Sequence, residues 1–167
     1  MSQASNKVKW CLNKAKRELA EGSTHRGLVE QESNDGLAKL HLLKAQHNLS
    51  AALFFDKNGY SDWSASAFFY CIYHCFLAIS RKYGYESRNQ ECTIAVIEML
   101  KEQGKISLDD KFISTLKIAQ DEHSAIQARE EFQYGTETEF EQKEQFAKFT
   151  KLCKEAIDEA SKIVFGK

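Results

Sequence analysis

Apolar residues recur along most of this chain at intervals of three and four, the spacing that lines one side of a helix, and no stretch alternates for long enough to specify a strand. Six helical segments follow from the pattern. The first covers roughly 5–21 and ends near Gly22; the polar stretch Ser23–Asp35 reads as a loop. The second covers roughly 35–57, with Ala38, Leu42, Ala45, Leu49 and Ala52 as its stripe. Leu40, Leu43, His47 and Phe54 widen that stripe, which predicts a broadly buried helix stopped by Asn58-Gly59. Ser61 then suits the N-cap of a third helix over roughly 62–83. In it Trp63, Ala67, Tyr70, His74 and Leu77 lie on one side and Phe69, Ile72, Phe76 and Ile79 on another, so it belongs at the centre of a bundle.

A fourth helix, roughly 89–103, carries Ile94, Ile97 and Leu100 and closes at Gly104. Ser107-Leu108-Asp109-Asp110 opens a fifth, whose stripe Phe112, Leu116, Ala119, His123, Ile126 runs on until Gly135. Thr136-Glu137-Thr138-Glu139 has a capping-box pattern and starts a sixth, marked by Phe146, Phe149, Cys153, Ala156, Ala160 and Ile163. The prediction is an all-α, up-and-down bundle of four to six helices, with residues 1–30 as an N-terminal helix and loop and 31–167 as the bundle proper.

Composition sharpens this. The 167 residues include no proline and 8 glycines, too few turn formers for an all-β fold. The longest apolar run, Ala65–Ile79, is too short to span a bilayer, and the polar start lacks the core of a signal peptide, so a cytoplasmic protein with no membrane contact is expected. Five cysteines, an odd and scattered set, read as reduced core thiols. The net charge of -1 hides a basic start, with six Lys/Arg against two Glu over residues 1–26, and an acidic end. The basic start reads as a solvated helix face, not a nucleic-acid footprint.

Catalytic motifs of the phosphate-loop, dinucleotide, zincin and serine-elbow types are absent, and no cofactor is implied. Cys71, His74 and Cys75 fall within one helical turn but have no second Cys/His pair to complete a zinc site, and they read as core residues. The segment Ala128-Arg129-Glu130-Glu131-Phe132-Gln133-Tyr134-Gly135 is different. Arg129 follows Ile126 by three and so borders an inward stripe, where a permanent cation needs a partner. One reading pairs it with an acid such as Glu130 or Asp62. The other has the helix unwinding before Gly135, so that Arg129 and Tyr134 converge to hold a phosphate.

The succession Asn58-Gly59-Tyr60, then Ala67-Phe68-Phe69-Tyr70-Cys71-Ile72-Tyr73-His74-Cys75-Phe76-Leu77-Ala78, then Ala128-Arg129 and Tyr134-Gly135, resembles the HEPN domain family over roughly residues 36–165. The resemblance implies a homodimer with Arg-bearing segments facing across a cleft, nucleotide or RNA binding, and a minimal nucleotidyltransferase as partner in a toxin–antitoxin or defence system. It makes Arg129, Glu130 and Tyr134 the candidate catalytic residues, with Arg129 and Tyr134 the candidate binding pair and no metal. Many members are metal-independent endoribonucleases, which is the alternative function; a non-catalytic protein-interaction adaptor is another. The chain departs from the family pattern in one place: Tyr134 stands where a histidine is usual. Histidine exchanges protons near neutral pH and an unperturbed tyrosine does so near pH 10, so a ribonuclease would be handicapped. His123, the nearest substitute, sits on a core stripe.

Overall fold

The computed structural model describes residues 1–117, 124–141 and 143–166, and among them the chain is all-α with one small ribbon. Seven helices are present: α1 (Gln3–Ala20), α2 (Asp35–Lys57), α3 (Ser61–Lys82), α4 (Gln90–Glu102), α5 (Asp110–Ser114), α6 (Ala125–Tyr134) and α7 (Lys143–Phe165). Strands β1 (Leu28–Glu30) and β2 (Tyr85–Ser87) pair antiparallel, Val29 opposite Glu86. Neither strand is predicted from the sequence, because three residues are too few to show a period of two.

The bundle is organised around α3. It forms an antiparallel hairpin with α2 and is covered elsewhere by α4, α6 and α7. By length and mean hydropathy, 1.2 over its most apolar window, this 22-residue helix is able to cross a membrane, unlike the shorter apolar run within it. In the fold, 67% of that window is buried inside the protein. Phe68 of α3 anchors the far side of the core. Its ring lies 5.0 Å from Phe146 and 5.7 Å from Phe149, both of α7, and 6.4 Å from Phe140 in the connection before α7.

Several boundaries differ from expectation for local reasons. The predicted fifth helix is two. The Thr115 hydroxyl accepts from the Ala125 amide at 2.9 Å, and Ser124 caps α6 through the Gln127 amide. His123 lies outside the described residues. The capping box at Thr136 does not form: Glu137 accepts from the Thr136 amide, and α7 begins only at Lys143. Instead the chain turns inward so that Phe140 enters the aromatic cluster, and its amide donates to Ser61 Oγ at 3.1 Å. Ser61 is thereby occupied and does not cap α3.

α1 packs on α4 and β1, and contributes Ala4, Val8 and Cys11 to the common core. The cysteine expectation is corrected here. Cys11 and Cys92 are joined by a disulfide between α1 and α4, with Cα atoms 5.9 Å apart, and only Cys71, Cys75 and Cys153 are free. Two facing helix positions at that separation suit a disulfide, whereas spacing in the sequence cannot reveal the approach. Beside it Gly27 passes so close to α1 that a Cβ there would meet the Cys11 carbonyl oxygen at 2.5 Å.

The β-ribbon is tied to α3 by charge. Glu86 accepts from Gln31 at 2.7 Å and lies within 3.4 Å of Arg81, His25 and Arg88 nitrogens. Burial alone would raise its pKa; Arg81, His25 and Arg88 together hold it below the usual carboxylate value.

Protein denatured without reductant is expected to show three alkylatable thiols, and five after reduction. Reduction should lower stability by about 2–4 kcal/mol in a denaturant titration.

Candidate functional site

Arg129 faces α3 from the middle of α6. On a helix of 3.6 residues per turn, Ala125, Ile126 and Phe132 all fall within about 60° of it, so the guanidinium is directed at the bundle. Its central carbon stands 4.2 Å from the centre of the Phe69 ring and 6.0 Å from that of Tyr70. A guanidinium over an aromatic face is stabilised by roughly 1–2 kcal/mol when partly desolvated. Arg129 Nε is out of contact with water and has no hydrogen-bond partner in the structure. Among the described residues no carboxylate comes within ion-pair distance of Arg129. The acids proposed as partners, Glu130 and Asp62, are half-buried but not paired to it.

Tyr134 is placed elsewhere. α6 stays helical through Tyr134, so the two side chains leave the helix about 140° apart and do not converge within one chain. Its ring is 79% exposed. Around it the surface is acidic: Glu131, Glu137, Glu139 and Glu141 line one groove together with Phe132 and Gln145. These carboxylates oppose an anion in that groove. Glu130 sits about 100° round the helix from Arg129, on its flank and not facing it.

Histidines at a second place on α3 come together without any signal in the sequence. His41 of α2 and His74 of α3 approach to 3.0 Å between Nδ1 atoms, with ring centres 5.3 Å apart. One ring therefore donates its Nδ1–H to the lone pair of the other. Burial, then the neighbouring His74 and Arg81, lowers the His41 pKa to about 4; burial and Lys44 also lower that of His74. His74 is thus turned away from the thiols beside it in sequence. Cys71 and Cys75 instead adjoin Cys153 of α7 in the core, where hydrogen bonds to Cys71, and then burial, push the Cys75 and Cys153 thiols up. Cys153 donates to the Phe68 carbonyl at 3.5 Å. Among the described residues, no three His, Cys, Asp or Glu side chains form a metal-binding group.

Much of one predicted core face and two residues of another lie in water. On α2, Leu40 is 59%, Leu43 49% and Phe54 62% exposed; on α3, Trp63 is 62% and Tyr70 43% exposed. The small residues of the Ala38–Ala52 stripe form the true inner face of α2 and let α3 approach closely. Because both sides of α2 are apolar, hydropathy could not say which one was buried.

No family model and no curated protein matches this chain.

Because the native state holds His41 neutral below its usual titration point of 6.5 while the unfolded chain takes up the proton, stability should fall as pH drops from 6.5 towards 4. Denaturant midpoints at about pH 7.5 and about pH 5 should differ less for His41→Leu than for the wild type.

Proposed function

We propose that this chain is a HEPN-type dimeric protein that binds RNA or nucleotide phosphate through Arg129 and works in the cytoplasm beside a minimal nucleotidyltransferase, in a toxin–antitoxin or defence role. The observation that carries the reading is the guanidinium itself. It lies over Phe69, held in place by the ring, with its Nε buried and without a hydrogen-bond partner. A side chain stacked in this way loses little freedom when it takes up a phosphate. The helical bundle is consistent with the family resemblance. The buried disulfide is the feature that fits a cytoplasmic location least, since such bonds are uncommon where thiols are kept reduced.

Binding is favoured over RNA cleavage. In-line attack by a 2′-hydroxyl needs a proton acceptor beside the stabilising cation, and Tyr134 points away from Arg129.

Anisotropy of a fluorescent single-stranded RNA, with AMP as competitor, should show binding by the wild type at low salt. Arg129→Ala should weaken it at least about ten-fold, the scale of one charge-assisted hydrogen-bonded contact. Its helical circular dichroism should be unchanged. Equal affinity for both proteins overturns the assignment of Arg129. Cleavage of that RNA in EDTA by the wild type, lost in Arg129→Ala, would show the ribonuclease instead.

A further inference from the structure

The outer side of α2 carries exposed Leu40, Leu43, His47 and Phe54 and half-buried Ala51, spaced in order three, four, four and three. On a regular helix all five fall within about 40° of His47, which makes a narrow seam of the kind two helices share. The spacing is its own mirror image about His47. A twofold axis through that residue lays α2 antiparallel on the α2 of a second copy, sets Leu40 against Phe54 and Leu43 against Ala51, and brings His47 to its own equivalent.

We propose that this seam is where two copies of the chain associate, with His47 on the dyad. The proposal rests on the dimer in the functional reading above but not on its nucleotide chemistry. Three features select a second copy as the occupant. The seam contains no Lys, Arg, Asp or Glu, so self-pairing along it brings no like fixed charges together. Lys44, at its border, falls opposite Ser50 of the other copy by the same symmetry. The exposed area is also of the right size. Leu37 at the start of α2 and Tyr60 and Trp63 where α2 meets α3 extend the patch at its two ends, with exposures of 37%, 58% and 62%. Since a wholly buried aromatic side chain covers about 150–250 Å², Phe54, Tyr60 and Trp63 with the three leucines approach the roughly 800 Å² that each side of a stable interface supplies. Antiparallel pairing brings the Leu37 end of one α2 to the Trp63 end of the other, so these rim residues join the same interface.

The test uses the full chain in sedimentation equilibrium up to about 100 µM, well above a micromolar dissociation constant. The wild type is expected to be a dimer. His47→Glu, which doubles a permanent charge on the axis, should raise the dissociation constant at least about thirty-fold, as loss of an interface hot spot does; Phe54→Asp should act likewise. His47→Leu should tighten the dimer. Both positions are in water in the single chain, so circular dichroism should confirm unchanged helicity. Under mild oxidation His47→Cys should form a covalent dimer with its own copy, whereas Lys39→Cys, about two turns away and off the seam, should not. A dimeric wild type whose variants remain equally dimeric, or crosslinking at Lys39→Cys and not at His47→Cys, overturns the seam and leaves the dimer reading intact. A monomeric wild type gives the stripe to some other occupant and removes the dimer from the functional reading as well.

Discussion

The architecture depends on the requirement that α3 be covered. Thirteen of its 22 residues are buried, and no single neighbour is wide enough to shield a helix that is apolar around so much of its circumference. α2 takes one side through a row of small side chains, Ala38, Ala45 and Ala52, which lets the two backbones approach. α7 takes another through large ones, Phe146 and Phe149, which lock against Phe68. α4 and α6 close the remainder. Once α3 is enclosed in this way, the position of Arg129 follows: any residue at the centre of the inward face of α6 must meet the α3 surface, and Phe69 is what it meets.

Much of the fold was legible because strong local signals mark it. Asn58-Gly59 ends α2 where expected, and α2 itself spans the residues that its stripe indicates. Most of the failures share a cause: they depend on a partner distant in sequence. Thr115 is taken by the amide of Ala125, Ser61 by that of Phe140, and the inner side of Gly84 by the Gln31 carbonyl, 2.6 Å from where its Cβ would be. The break between α5 and α6, the lost Ser61 cap and the short ribbon are long-range effects that periodicity does not encode. The outer row of α2 is a different case. Hydropathy identified it as apolar, correctly, but an apolar row seeks cover without saying whether the cover is its own chain.

For the candidate site, the sequence placed Arg129 beside an inward stripe and required a partner for it, such as Glu130 or Asp62; the ring of Phe69 supplies a support that charge reasoning did not consider. Convergence of Arg129 with Tyr134 depended on α6 fraying before Gly135. The helix does not fray, because Gly135 adopts an extended backbone only after the last turn is complete and donates its amide to the Glu131 carbonyl. Three acids of the groove beside α6, Glu137, Glu139 and Glu141, come from the connection between α6 and α7 that also carries Phe140.

The sulfur bridge between Cys11 and Cys92 has a mechanical meaning. It bypasses the intervening β-ribbon, α2 and α3. Tension applied at the two ends of the polypeptide would run from α1 across the sulfurs directly into α4, and the hairpin of α2 and α3 would carry none of it. A stretched molecule would thus give up α5 to α7 and the first turns of α1, while the loop closed by the bridge held back its contour length. Proteolytic nicking in the turn at Asn58-Gly59 would likewise leave both fragments covalently joined.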